Sequence, residues 1–163
     1  QEILSANKHL YVMKSISKSY GVPGLRLGVL GSGNTELIAN LKKDVAIWNI
    51  NSFAEFYMQI EEKYKKDYDV ALVLIRAERA RFQKELQKIY GLRVIPSQAN
   101  YVMVELTGDV TARELTKTML LKYNLFIKNL SGKVGGKQYL RLAVRKTEDN
   151  DKLLAALKRE LEP

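Results

Sequence analysis

The stretch Ser15-Ile16-Ser17-Lys18-Ser19-Tyr20-Gly21-Val22-Pro23-Gly24-Leu25-Arg26-Leu27-Gly28 constrains the fold more than any other part of the chain. Gly21, Pro23 and Gly24 prevent a continuous helix or strand from running through it, because proline lacks a backbone donor and glycine favours turns. On either side lie apolar runs of strand length. Leu10 to Ile16 predicts a buried strand ending in the polar turn Ser17-Lys18-Ser19, and Leu25 to Leu30 predicts a second short strand.

A lysine at the end of an apolar strand can be desolvated, which lowers its pKa and leaves a neutral amine able to form a Schiff base. If the loop folds back, the Arg26 guanidinium and the hydroxyls of Ser15 and Ser17 can surround a phosphate near the Lys18 amine. An aldehyde cofactor that carries a phosphate would use both features.

Strands and helices alternate through the rest of the chain. Asn34 caps a predicted helix to about Lys42, and Ser52-x-x-Glu55 reads as a capping box for a helix with Phe53, Phe56, Tyr57 and Ile60 on one face. A long helix is predicted from about Tyr68 to Tyr90, stopped by Gly91, with Ala71, Ile75, Phe82, Leu86 and Ile89 as its stripe. Leu92 to Ile95 and Tyr101 to Leu106 read as strands around a Pro96-Ser97 turn. Thr111-x-x-Glu114 opens a helix to about Lys122. Leu125 to Lys128 and Gln138 to Val144 read as strands joined by a loop rich in Gly and Lys, before a last helix over Glu148 to Leu161. The class is α/β or α+β, and the best domain boundary lies in the long helix, dividing residues 1–67 from 68–163.

Composition excludes much chemistry. The 163 residues hold no Cys and one His, which removes disulfides, cysteine nucleophiles and most metal sites, so no metal is expected. No run approaches the ~20 apolar residues of a membrane span, and the chain reads as soluble and cytoplasmic with no membrane partner. The net charge of +9 leaves a basic nucleic-acid-binding module as the non-enzyme alternative. Against it, Lys63, Lys65, Lys66, Arg76, Arg79, Arg81, Lys84 and Lys88 are interspersed with acids, as on a solvated helix face, and no nucleic-acid motif is present.

S-x-S-K followed by P-G-x-R-x-G resembles the lysine segment of fold-type I aminotransferases that use pyridoxal 5'-phosphate (PLP). The resemblance makes Lys18 the Schiff-base lysine and Ser15, Ser17 and Arg26 contacts of the cofactor phosphate. Trp48-Asn49-Ile50-Asn51-Ser52 is similar to the P-W-N-V-N-S segment of histidinol-phosphate aminotransferases, with Ile47 in place of the proline, and Pro96-Ser97-Gln98-Ala99-Asn100-Tyr101 to their P-S-x-A-N-F. Trp48 and Asn51 read as loop and cap residues rather than ligands. Tyr139 to Arg145 is the fourth match. Strand alternation sets Arg141 opposite Leu140, Leu142 and Val144, and the resemblance makes it the clamp for the substrate α-carboxylate. Lys128 stands where the histidinol-phosphate enzymes have an arginine near the substrate phosphate, and Asn100 joins it as a candidate substrate contact. A lysine lacks the bidentate fork, which reads against a phosphorylated substrate. The segment from Ile127 to Arg145 is most similar to threonine-phosphate decarboxylases and their aminotransferase relatives.

The resemblance implies the C-terminal part of the PLP-binding large domain followed by an α+β small domain. In the family the residues that hold the cofactor ring precede the lysine strand, so the chain is expected to be an inactive fragment of a homodimeric parent. The parent is expected to be an aminotransferase acting on an amino acid or related amine, a small-molecule substrate. The alternative is a decarboxylase of a phosphorylated amino acid such as threonine phosphate. Proton loss from Cα would give transamination and carboxylate loss decarboxylation, and the residues leave that choice open.

Overall fold

The structure, a computed structural model, describes residues 2–162. It divides into two compact units, Gln1–Tyr68 and Asp69–Pro163.

In the first unit, α1 (Glu2–Ser5) precedes β1 (Tyr11–Ser15), α2 (Ile16–Ser19), a 3-10 turn over Pro23–Leu25, and β2 (Gly28–Ser32). β1 and β2 form an antiparallel ribbon, with Tyr11 opposite Ser32 and Ser15 opposite Gly28. The buried strand expected over Leu10 to Ile16 is corrected here. It ends at Ser15, no residue of it is buried, and Met13 is 82% exposed. A two-stranded ribbon offers each strand one neighbour and buries a strand only when further layers pack on it. The second strand likewise starts later than expected, because Pro23 initiates a helical turn that consumes Leu25.

Next come α3 (Thr35–Asp44), capped by the Asn34 side chain as expected, and α4 (Ser52–Ile60). Its cap is Asn51 rather than Ser52. Asn51 is extended, and its Oδ1 accepts from the Ala54 N–H at 3.0 Å, so the cap stands one residue before the capping-box position while the helix begins at Ser52 as expected. On the face that carries Phe53, Phe56, Tyr57 and Ile60, the two phenylalanines are exposed and Tyr57 and Ile60 half-buried, while Ala54 is the buried residue of the helix.

A 3-10 turn over Glu61–Tyr64 leads into α5 (Lys65–Leu86). The second unit continues with β3 (Leu92–Ile95), β4 (Tyr101–Leu106), α6 (Ala112–Tyr123), β5 (Lys128–Asn129), β6 (Tyr139–Ala143) and α7 (Thr147–Leu161). Its four strands are antiparallel neighbours in the order β3-β4-β6-β5. The strand expected over Leu125 to Lys128 shrinks to Lys128–Asn129. Asn124 ends α6 in the left-handed conformation, and the Leu125 N–H is taken by the Met119 carbonyl.

One face of this sheet carries Val102, Val104, Leu140 and Leu142, all fully buried. They join Phe82 and Leu86 of α5, Leu115 and Met119 of α6, and Leu153, Leu154 and Leu157 of α7 in one cluster. Each such side chain contributes about 1.5–3 kcal/mol on leaving water, so this layer holds the unit together.

A polar tie joins α5 to α7. The Glu78 carboxylate accepts from Arg81, from Thr147 Oγ1 at 2.9 Å and from Asn150 Nδ2 at 2.7 Å, and Asn150 is 1% exposed. The Arg81 hydrogen bond, more than any other influence, holds the Glu78 carboxyl down to about 2 from 4.5. A depressed carboxyl stabilises the fold fully above its unfolded value and loses that contribution as pH falls toward the folded one. Stability of the second unit is therefore expected to drop between pH about 4.5 and about 2. Glu78→Gln should remove part of that slope and cost roughly 1.5–3 kcal/mol at neutral pH, the range for hydrogen bonds to a charged group. Denaturant melts across pH check both, and an unchanged slope in the variant would refute the assignment.

Candidate active site

The structure places the expected site residues in two groups, one in each unit.

In the first unit, Ser15 is the last residue of β1, and Lys18 lies on the short helix α2 rather than at a strand end. Both are exposed. The desolvation expected for Lys18 does not arise here, since the helical turn carries its side chain into solvent. Ser17 is 3% exposed. Its hydroxyl donates to the Leu27 carbonyl at 3.1 Å and accepts from the Leu27 N–H at 2.7 Å. A hydroxyl buried and engaged in this way has no face left for a phosphate, so the phosphate contact expected of Ser17 is corrected to a structural bond across the loop.

Arg26, also exposed, leaves the 3-10 turn with φ 56° and ψ 31°. A non-glycine residue in the left-handed region costs roughly 1–2 kcal/mol, which the surrounding structure must offset. The Leu25 carbonyl before it accepts from Asn51 Nδ2 at 2.9 Å. The Val22 N–H donates to the Ser17 carbonyl at 2.7 Å, closing the loop from within. Tyr20 stacks on Tyr68 with ring centres 4.3 Å apart, and the Tyr68 hydroxyl donates to the Ser19 carbonyl at 3.3 Å. A cavity of about 260 Å³ beside the loop is lined by Ile16, Tyr20, Leu27, Tyr57 and Glu61, among others. Burial, with a smaller effect of Glu61, pushes the Tyr57 hydroxyl pKa up. The Lys18 amine, the Arg26 guanidinium and the Ser15 hydroxyl are thus carried on one closed loop.

In the second unit, Arg141 is exposed on β6, on the face away from the core, as the alternation predicts. Tyr139, on that same face, is nonetheless buried, beneath the Arg93 guanidinium that donates to its hydroxyl at 3.3 Å. The register sets Arg141 between Met103 of β4 and Lys128 of β5. The two expected substrate cations are therefore direct cross-strand neighbours, which the sequence alone could not show. Among the described residues neither has a carboxylate partner, whereas Arg93 of β3 and Lys137 in the loop before β6 both pair with Glu105. Like charges placed directly opposite destabilise a sheet, and an anion bound between them relieves the repulsion. The Arg141 guanidinium lies 5.4 Å from the centre of the Tyr101 ring, which gives its flat face a support.

Asn100 immediately precedes Tyr101, and its carbonyl accepts from the Val144 N–H at 2.9 Å. The turn before it is braced from α5. Arg79 donates to the Gln98 carbonyl at 2.6 Å, and Gln83 Oε1 accepts from the Ser97 N–H at 2.8 Å. Sequence reasoning named Tyr101 in a matched segment and Arg79 among solvated helix cations without giving either a part in the site, because those parts depend on register and on tertiary contact. It quoted Asn51 in a matched segment but set it aside as a cap.

The profile of the aminotransferase class I and II family matches residues 2–157. The chain is 35% identical over 156 residues to CMP-5'-(3-aminopropyl)phosphonate synthase of Streptomyces rubellomurinus, covering 94% of this chain and 25% of that protein. It is 30% identical to L-serine phosphate decarboxylase of Sulfurospirillum multivorans, covering 92% of this chain and 39% of that one. The crystal structure of the histidinol-phosphate aminotransferase from Clostridium acetobutylicum superposes with a TM-score of 0.86 at 30% identity, over 98% of this chain and 48% of that one. The chain thus spans between a quarter and a half of the length of these relatives. With its mixed helix-and-sheet architecture, the chain belongs to the aminotransferase class I and II family, PLP-dependent enzymes of fold type I.

Proposed function

We propose that this chain supplies the cofactor lysine and the substrate-anion contacts of a PLP-dependent enzyme whose substrate is a phosphorylated amino acid, and that the reaction removes the α-carboxylate. The observation that carries the substrate class is the unpaired cation pair Lys128–Arg141: two adjacent positive groups suit a substrate with two anionic groups. This revises the inference from Lys128 alone, since a lysine beside an arginine provides a second charge where a lone lysine replaced a fork. The likeness to L-serine phosphate decarboxylase favours carboxylate loss, and the likeness to histidinol-phosphate aminotransferase supports transamination as the second reading.

The donor set of the loop fits the cofactor: a primary amine for its aldehyde, and a guanidinium and a hydroxyl for its phosphate, all exposed on one closed segment. Lys18 would hold the aldehyde and, once released, move a proton at the substrate Cα. Arg26 and Ser15 would hold the phosphate. Arg141 would grip the carboxylate and so decide which Cα bond is presented, while Lys128 takes the second anion. When bound, PLP supplies the electron sink for the bond that breaks.

In the protein that carries this chain, O-phosphoserine or O-phosphothreonine is expected to release carbon dioxide much faster than serine or threonine. Formation of a keto acid without carbon dioxide would select the transaminase reading, and equal rates on unphosphorylated substrates would refute the part given to Lys128. For the cofactor contacts, borohydride reduction and peptide mapping should find the pyridoxyl label on Lys18. Arg26→Ala should weaken PLP retention more than it alters substrate preference. A label elsewhere, or the opposite pattern for Arg26, would overturn these assignments.

A further inference from the structure

Arg26 stands in a backbone conformation that an arginine does not choose, and the two peptide groups beside it are each held by a different side chain. Rotation about its φ turns the peptide between Leu25 and Arg26, whose carbonyl accepts from Asn51 Nδ2 at 2.9 Å. Rotation about its ψ turns the peptide between Arg26 and Leu27, whose N–H donates to Ser17 Oγ at 2.7 Å. The Ser17 N–H and hydroxyl both donate back to the Leu27 carbonyl, at 3.2 and 3.1 Å. Both torsions of Arg26 are therefore fixed from outside the residue. The pins also tie the site together. Ser17 directly precedes Lys18, Leu27 directly follows Arg26, and Asn51 is anchored in turn by its Oδ1, which caps α4.

We propose that Ser17 and Asn51 are positioning residues that hold Arg26 in its left-handed conformation and so set the spacing between the Lys18 amine and the Arg26 guanidinium. The inference rests on the reading that Lys18 takes the cofactor aldehyde and Arg26 its phosphate. Neither Ser17 nor Asn51 needs to touch the cofactor. Releasing either pin lets the peptide beside Arg26 turn toward the commoner right-handed or extended regions, and the guanidinium leaves its place while the lysine stays.

The consequence is specific to phosphate. Pyridoxal, which has the aldehyde and lacks the phosphate, reports on Lys18 alone, whereas PLP reports on Lys18 and Arg26 together. Absorbance titrations of the chain with both compounds give the ratio of the two affinities. The unsubstituted chain is expected to prefer PLP. Ser17→Ala and Asn51→Ser are each expected to reduce that preference by about 3- to 10-fold while the pyridoxal affinity stays within about twofold, since each deletes one hydrogen bond that acts through Arg26. Asn51→Ser keeps an oxygen that can cap α4, so the helix is retained while the donor to Leu25 is lost. In an Arg26→Gly background neither substitution should lower the ratio further, because the side chain they position is gone.

Parallel loss of PLP and pyridoxal affinity would show that the two residues serve only the fold and would overturn the proposal. So would an unchanged ratio. A Ser17→Ala effect that persists in the Arg26→Gly background would make Ser17 a direct phosphate contact instead. Absence of any preference for PLP in the unsubstituted chain would remove the reading of Arg26 itself, an outcome seen before any variant is made.

Discussion

Truncating Arg141 to Ala, in the protein that carries this chain, is expected to lower kcat/KM for amino acid substrates by about 2–4 kcal/mol, roughly 30- to 900-fold. The size follows from the surroundings. The guanidinium has no carboxylate of its own among the described residues, rests over the Tyr101 ring, and faces Lys128 across the strand pair. Its removal leaves the substrate carboxylate with a lysine that cannot offer paired donors. The amine that lacks the carboxylate should lose much less, and equal losses for both substrates would refute the clamp. Lys128→Ala should act on the other anion: phosphorylated substrates suffer and unphosphorylated ones change little. If both substitutions had the same profile, the two cations would be gripping one group rather than two.

Phe82→Ala is expected to destabilise the second unit by about 3–5 kcal/mol, the range for emptying a buried aromatic site. Phe82 is fully buried in the cluster that joins α5, α6 and α7 to the sheet. Domains hold only about 5–15 kcal/mol in total, so this one change would consume much of the unit's margin. Far-UV circular dichroism in a urea series is the suitable readout. Trp48, the chain's single tryptophan, lies in the first unit and is 90% exposed, so its fluorescence would miss the event. A loss below about 1 kcal/mol would mean that this cluster is not the core.

Most of the second unit was legible because β4, α6, β6 and α7 each bury one clear stripe, whereas β5, which buries none, shrank. Leu115 and Met119 sit inward on α6, the Thr111 capping box forms as written, and the alternation in β6 put Arg141 on the outer face. The first unit was misread where burial was inferred from apolar sequence. A run such as Tyr11 to Met13 states that a strand wants cover, and only the neighbouring elements decide whether it has any. Motif spacing led to Lys18 and Arg26. It could not reveal that Ser17 faces inward, since a serine beside a lysine looks the same in sequence whether it meets a phosphate or a peptide. Cross-strand partners such as Lys128 and Arg141 depend on register, which a single sequence states only weakly when the loop between the strands is long and glycine-rich.

The strand order of the second unit bears on when its proposed anion site is completed. β6 lies between β4 and β5, so Tyr101 meets the Arg141 strand only after the chain has closed back across α6 and β5. Closing a long loop costs entropy before its contacts repay it, which makes this seam a late and slow step compared with the local β3–β4 hairpin. Chains still waiting at that step can already set Lys128 beside Arg141 through the short-range β5–β6 pairing, but their Arg141 has no Tyr101 ring to rest on. An anion held as proposed between the two cations is therefore expected to bind best to chains whose seam is shut, with Arg141 braced on Tyr101, and so to retard reopening more than it speeds first closure.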